Sequence, residues 1–100
     1  MIDVEIAIVP IGTGTTSTSS FIAKSEKALL KHPALSYKIT GMATEIEGED
    51  IDDIFNALKD MHLAQIGHGA NRVQTSIRID DRRDKECTLS EKVASVKSKI

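Results

Sequence analysis

The chain has 100 residues, a formal charge of −2, 40% hydrophobic, 28% charged and only 3% aromatic residues. That allows one domain over residues 1–100 with an aliphatic core. It excludes the basic surplus of a dedicated nucleic-acid binder, and no apolar run approaches the length of a membrane span. The lone Cys87 can form neither an internal disulfide nor a zinc cluster, which fits a reducing, cytoplasmic compartment.

The N-terminus runs straight into "IDVEIAIV", unlike a signal peptide. Ile2, Val4, Ile6 and Ile8 alternate with Asp3, Glu5, Ala7 and Val9. Period two with β-branched residues predicts a strand, which Pro10 ends. "PIGTGTTSTSS" follows, with seven hydroxyl side chains and two glycines in eleven residues. "FIAKSEKALLK" then has helical spacing, its apolar stripe running through Ile22, Ser25 or Glu26, Leu29 and Leu30. The serines and threonines before it are expected to cap it, and His32-Pro33 to stop it.

"LSYKIT" alternates Leu35, Tyr37 and Ile39, and "MATEI" alternates Met42, Thr44 and Ile46. Together they predict a hairpin around Thr40-Gly41, with a continuous bent strand as the alternative. Asp50, with Asp53 in capping-box position, opens a helix bearing Ile51, Ile54, Phe55, Leu58, Met61 and His62 on one stripe. Gly67 and Gly69 close it. "RVQTSIRI" is a fourth strand and "DDRRDKE" a charged connector. Thr88 and Glu91 form a capping box for a last helix with Leu89, Val93, Val96 and Ile100 on one side, which is expected to pack on the sheet edge or on another chain.

The order is α+β, a ferredoxin-like βαββαβ sandwich with a four-stranded antiparallel sheet plus a C-terminal helix. Right-handed crossovers put the first and third strands at the centre and both main helices on one face. The opposite face carries acids on the central strands and bases on the edges, as cross-strand charge pairs or as a surface for a ligand or another subunit. A domain this small is expected to associate with copies of itself.

The chemistry-bearing residues form no acid, base and nucleophile set, so an enzyme is not expected. "GTGTTS" lacks the Lys of a phosphate-binding Walker loop and the third Gly of a dinucleotide fingerprint. It is either a capped turn or the wall of a site for an anion or polar small molecule. The six carboxylates of "EIEGEDIDD" divide between a strand and a helix start, a poor metal cage. His62 is expected to be packed and hydrogen-bonded, and Cys87 has no activating partner.

The segments "VPIGTGTTSTSS", "GMATEIEGED", "NRVQTSIRIDDRRD" and "EKVASVKSKI", in that order, resemble the small thiamine-binding-protein family over essentially the whole chain. The resemblance implies a ferredoxin-like fold, homo-oligomers that are commonly tetramers built from dimers, and binding of thiamine or its hydroxymethylpyrimidine half, with no cofactor required. For such a ligand, Glu47, Thr44, Ser17 and Ser19 would supply the polar contacts. Met42 or Phe21 would lie against a ring. Glu47 is the expected charged anchor. The expected function is therefore a non-enzymatic binding protein, and the alternative is a structural or regulatory homo-oligomer that accepts an anion or another metabolite.

Overall fold

The computed structural model describes all residues, 1–100. It contains β1 (Ile2–Ile11), α1 (Ser19–Ala28), a 3-10 turn (Leu29–Lys31), β2 (Ser36–Ile39), β3 (Thr44–Gly48), α2 (Ile51–Gly67), β4 (Arg72–Asp81) and α3 (Leu89–Lys97). The strands lie in the order β2-β3-β1-β4, every neighbouring pair antiparallel. This is the ferredoxin-like βαββαβ arrangement with an added C-terminal helix. β1 and β3 are central, and the predicted hairpin is real. Thr40 ties its turn: the Thr40 N–H and hydroxyl both donate to the Ala43 carbonyl, at 2.9 and 2.7 Å.

Alternation decides which side of each strand is buried. Ile2, Val4, Ile6 and Ile8 of β1 and Ile46 of β3 face α1 and α2, where they pack with Ala28, Leu29, Ile54 and Leu58 in one aliphatic cluster. Full burial of each such side chain contributes about 1.5–3 kcal/mol. α2 presents the line Ile54, Leu58, Met61 and Gln65, all buried. Phe55, expected on that stripe, is half-exposed, because it sits one residue, or about 100°, round from the buried line.

The helix ends depart from expectation in two places. Thr18, the first cap, makes no side-chain bond to the helix, so the hydroxyl-rich run does not cap α1 through that residue. At α2, the Asp50 carboxylate accepts from the Asp52 N–H at 2.7 Å. A reciprocal box needs a side chain of Glu or Gln length at the third position, and Asp53 is shorter. At α3 the box is complete: Thr88 Oγ1 accepts from the Glu91 N–H and Glu91 Oε2 from the Thr88 N–H, both at 3.1 Å.

α3 lies on the opposite sheet face. None of its residues is buried, and Val93, Val96 and Ile100 are exposed. Its strongest tie is Lys92, whose ammonium reaches Asp3 at 2.7 Å and Asp80 at 2.6 Å. These bonds hold the Lys92 pKa above its usual value, the one to Asp3 contributing most.

Unequal strand lengths position the candidate site. β4 accompanies β1 through to Ile11, opposite Arg72. β3 accompanies it only as far as Ile6, opposite Thr44. The second half of β1 therefore has a strand on one side only. The notch beside it is bounded by the β2–β3 turn and roofed by α1.

Candidate functional site: a recess beside the open half of β1

The notch is a recess of about 540 Å³, its open mouth included. Ile6 and Ile8 of β1, Ile22 of α1 and Met61 of α2 make its wall predominantly apolar. Thr40 to Thr44 form the side across from α1, and Met42, 90% exposed, stands in that turn. The lining, apolar with a few polar groups, is of the kind that holds a small ring-containing molecule.

The polar groups come from three elements. Ser25 and Glu26 lie on the inner side of α1, Gln65 on the buried line of α2, and Thr44 at the first position of β3. The Ser25 hydroxyl donates to the Met61 carbonyl at 2.8 Å. Gln65 Nε2 donates to the Ile8 carbonyl at 3.3 Å and to Ser25 Oγ at 3.2 Å. The Thr44 hydroxyl donates to Glu26 Oε1. Two buried atoms in this group have no partner: Glu26 Oε2 and Gln65 Oε1. Each such unpaired acceptor costs about 1–3 kcal/mol of desolvation, so two in one recess are a marked local expense unless a ligand donor meets them.

Hollows on the opposite face are of comparable or larger size but different character. The one beneath α3, about 750 Å³, is lined mainly by charged groups, most of them paired. Arg78 Nε donates to Glu5 at 3.2 Å, the cross-strand pairing expected from β1 and β4. Lys92 bridges Asp3 and Asp80. In the connector, Arg83 and Arg82 hold the carboxyls of Asp81 and Asp84 below their ordinary range through side-chain hydrogen bonds. No group of three or more His, Cys, Asp or Glu side chains is arranged to hold a metal ion.

Residues 4–97 match the family model of the thiamine-binding protein. The chain belongs to the thiamine-binding protein family. A UPF0045 protein from Methanothermobacter thermautotrophicus is 45% identical over 100 residues, covering the whole of both chains. The UPF0045 protein YqgV of Bacillus subtilis is 44% identical over 95 residues, covering 92% of this chain and 90% of its own. Among solved structures, hypothetical protein MJ1052 of Methanocaldococcus jannaschii superposes with a TM-score of 0.85 at 32% identity, covering 96% and 95% of the two chains. A Thermotoga maritima protein, described provisionally as a thiamine biosynthesis/salvage protein, has a TM-score of 0.75 at 21% identity, covering 95% and 97%; at that identity it bears on the fold alone.

Within this thiamine-binding family member, the residues expected from sequence to form one site are divided. Met42 and Thr44 line the recess. Ser17 on the loop and Ser19 at the first position of α1 are exposed, their hydroxyl oxygens 3.4 Å apart; of the hydroxyl run, only Thr18 lines the recess. Phe21 packs edge-on against His68, ring centroids 4.9 Å apart at 75°. Glu47 is on the other side of the sheet, in a hollow shared with Tyr37, Lys38 and Leu89. The reason is strand geometry: Thr44 and Glu47 are an odd number of residues apart on one strand, so they point to opposite faces. Glu26 and Gln65 take the polar positions instead. Both carried a signal, since each is a polar residue on the buried stripe of an amphipathic helix.

No helix is long and apolar enough to cross a membrane. His62 is half-buried, and its Nδ1 lies 2.6 Å from Thr75 Oγ1, a packed and bonded histidine.

Proposed function

We propose that this protein is a non-enzymatic small-molecule binder that takes thiamine, or its hydroxymethylpyrimidine half, in the recess between α1 and the β2–β3 turn. The observation that carries the reading is the pair of unpartnered buried acceptors, Glu26 Oε2 and Gln65 Oε1, on residues that line a predominantly apolar recess. An aminopyrimidine offers what they lack: N–H donors on one edge of a flat ring. In this reading the Met42 thioether, which lines the recess, packs on the ring. Membership of the thiamine-binding protein family favours the same ligand. The anion-binding alternative is disfavoured, because a carboxylate and an amide oxygen would repel an anion.

Two further parts belong to this proposal. The protein acts as a homotetramer, a dimer of dimers, a reading supported by the exposed apolar residues of α3 and by Ile77 and Ile79 on β4. It works in the cytoplasm, where its single cysteine stays reduced.

The test is calorimetric titration of thiamine and of hydroxymethylpyrimidine. Wild type is expected to bind. Glu26→Gln removes the charge and keeps the shape. Losing a charge-assisted hydrogen bond of about 1.5–3 kcal/mol weakens binding by about tenfold to a hundredfold. Glu47→Gln, on the other face, leaves affinity unchanged. Silence from wild type at millimolar ligand overturns the proposal.

A further inference from the structure

We infer that the recess selects amino-bearing heterocycles over their oxo counterparts, and that Gln65, held in one amide orientation by Ser25, is the residue that sets this preference. The inference rests on the binding reading above but concerns what the site rejects.

The orientation of the Gln65 amide follows from its neighbours. The Ser25 hydroxyl has a single proton, and that proton is given to the Met61 carbonyl at 2.8 Å. Ser25 Oγ can therefore only accept from Gln65. The Ile8 carbonyl, the other neighbour, is an acceptor by nature. One end of the Gln65 amide thus contacts two acceptors, at 3.2 and 3.3 Å, and must be the NH₂ group. The other end must be the carbonyl oxygen, and it is the end without a partner. A flipped amide would set an oxygen against two acceptors while burying an NH₂ with none, in a side chain that is 0% exposed. Gln65 therefore cannot turn to suit a ligand that offers an acceptor.

Glu26 acts in the same sense. Its Oε1 already receives the one proton of the Thr44 hydroxyl, so Thr44 has no second proton to offer, and Oε2 is a further acceptor. The unpartnered buried side-chain atoms of the residues that line the recess are thus both acceptors. A heterocyclic amino group can donate to them. A carbonyl at the same ring position would place a third acceptor against the pair. Sites that pair a buried polar group with its complement discriminate far more strongly than apolar pockets do, because the wrong ligand leaves the buried group unmade.

The experiment is calorimetric titration of hydroxymethylpyrimidine and of the analogue in which the ring amino group is replaced by oxo, into wild type, Gln65→Met and Ser25→Ala. Wild type is expected to prefer the amino compound by at least about a hundredfold. Gln65→Met, of similar volume and with no acceptor of that strength, is expected to cut the preference about tenfold. Ser25→Ala removes one of the two acceptors that pin the amide and narrows the preference as well. Equal affinity of wild type for the two compounds would overturn this inference and leave the binding proposal standing. Binding of neither would overturn both. An amino preference that persists unchanged in Gln65→Met, a variant checked by its far-UV spectrum and melting curve, would also overturn the role assigned to Gln65.

Discussion

The two faces of one sheet treat their polar residues in opposite ways. On the face beneath α3, most charged groups have partners: Glu5 has Arg78, and Asp3 and Asp80 share Lys92. On the face beneath α1 and α2 polar residues are few, and two of them, Glu26 and Gln65, keep an unpartnered buried atom. The first pattern accounts for itself as structure, since surface pairs and bridges satisfy their own charge. The second leaves buried acceptors beside an open recess without a protein partner, where a ligand donor or a water can meet them. Number of charges is a poor guide to a site; the state of their partners is a better one. The contrast is one of degree, since Asp3 Oδ1 is unpartnered too: the Asp3 carboxylate is held by the Lys92 ammonium through Oδ2, whereas Glu26 has only the Thr44 hydroxyl on Oε1.

The sharpest way to break this comparison is on β3 itself, whose alternate residues belong to different faces. Ile46→Ala opens a cavity in the core cluster and is expected to cost about 2–5 kcal/mol. Glu47→Ala, the next residue, is expected to fall within about 0.5 kcal/mol. Urea denaturation of the two variants measures both. Similar losses would mean that the α3 face is as tightly organised as the helix-packed face.

Lys92→Met probes the bridge on the α3 face. Asp3 is only 5% exposed, and removing its cation leaves a buried carboxylate without its partner. A loss of about 2–3 kcal/mol is expected, partly recovered by adding Asp3→Asn. The pH dependence has a definite sign. The Lys92 pKa is raised in the folded protein above its ordinary 10.5. The stabilisation is therefore fully present below pH 10.5 and is lost as pH rises through the raised value. The stability gap between wild type and Lys92→Met should be flat through neutral pH and close in strong alkali. A gap that widens with alkali would show that another group carries the effect.

The fold was legible because its evidence is periodic. Alternation in β1, β2, β3 and β4, and the i, i+4, i+7 line of α2, each identify an element and its buried side. The site was half legible. Met42 and Thr44 emerge from the hairpin, but Glu47 was grouped with them across a strand parity that separates faces. The hydroxyl run stands out by composition, yet only Thr18 of it lines the recess. Glu26 and Gln65 were visible as polar interruptions of apolar stripes. Which interruptions converge depends on how α1 packs beside α2 and where β3 stops along β1. Those are tertiary facts, and no local pattern in either helix contains them.

The smallest expected effect separates the two faces by their dynamics. α3 has no buried residue, so its helical state rests on local terms and on Lys92. The complete capping box is the strongest of the local terms. Thr88→Ala removes it at about 1 kcal/mol, equivalent to about a fivefold shift in the local opening equilibrium. A segment held this way should open without unfolding the rest. Amide hydrogen exchange over residues 89–97 is therefore expected to accelerate about fivefold, while exchange in β1 and α2 is unchanged. The thiamine binding proposed for the recess should be unaffected too, because the recess contains no α3 residue. If exchange in α2 accelerates in step with α3, the two faces share one cooperative unit and their contrast is one of chemistry alone. If exchange in α3 does not change at all, contacts other than its cap hold the helix, and the exposed Val93, Val96 and Ile100 become the first place to look for them, as a seat for a second copy of the chain.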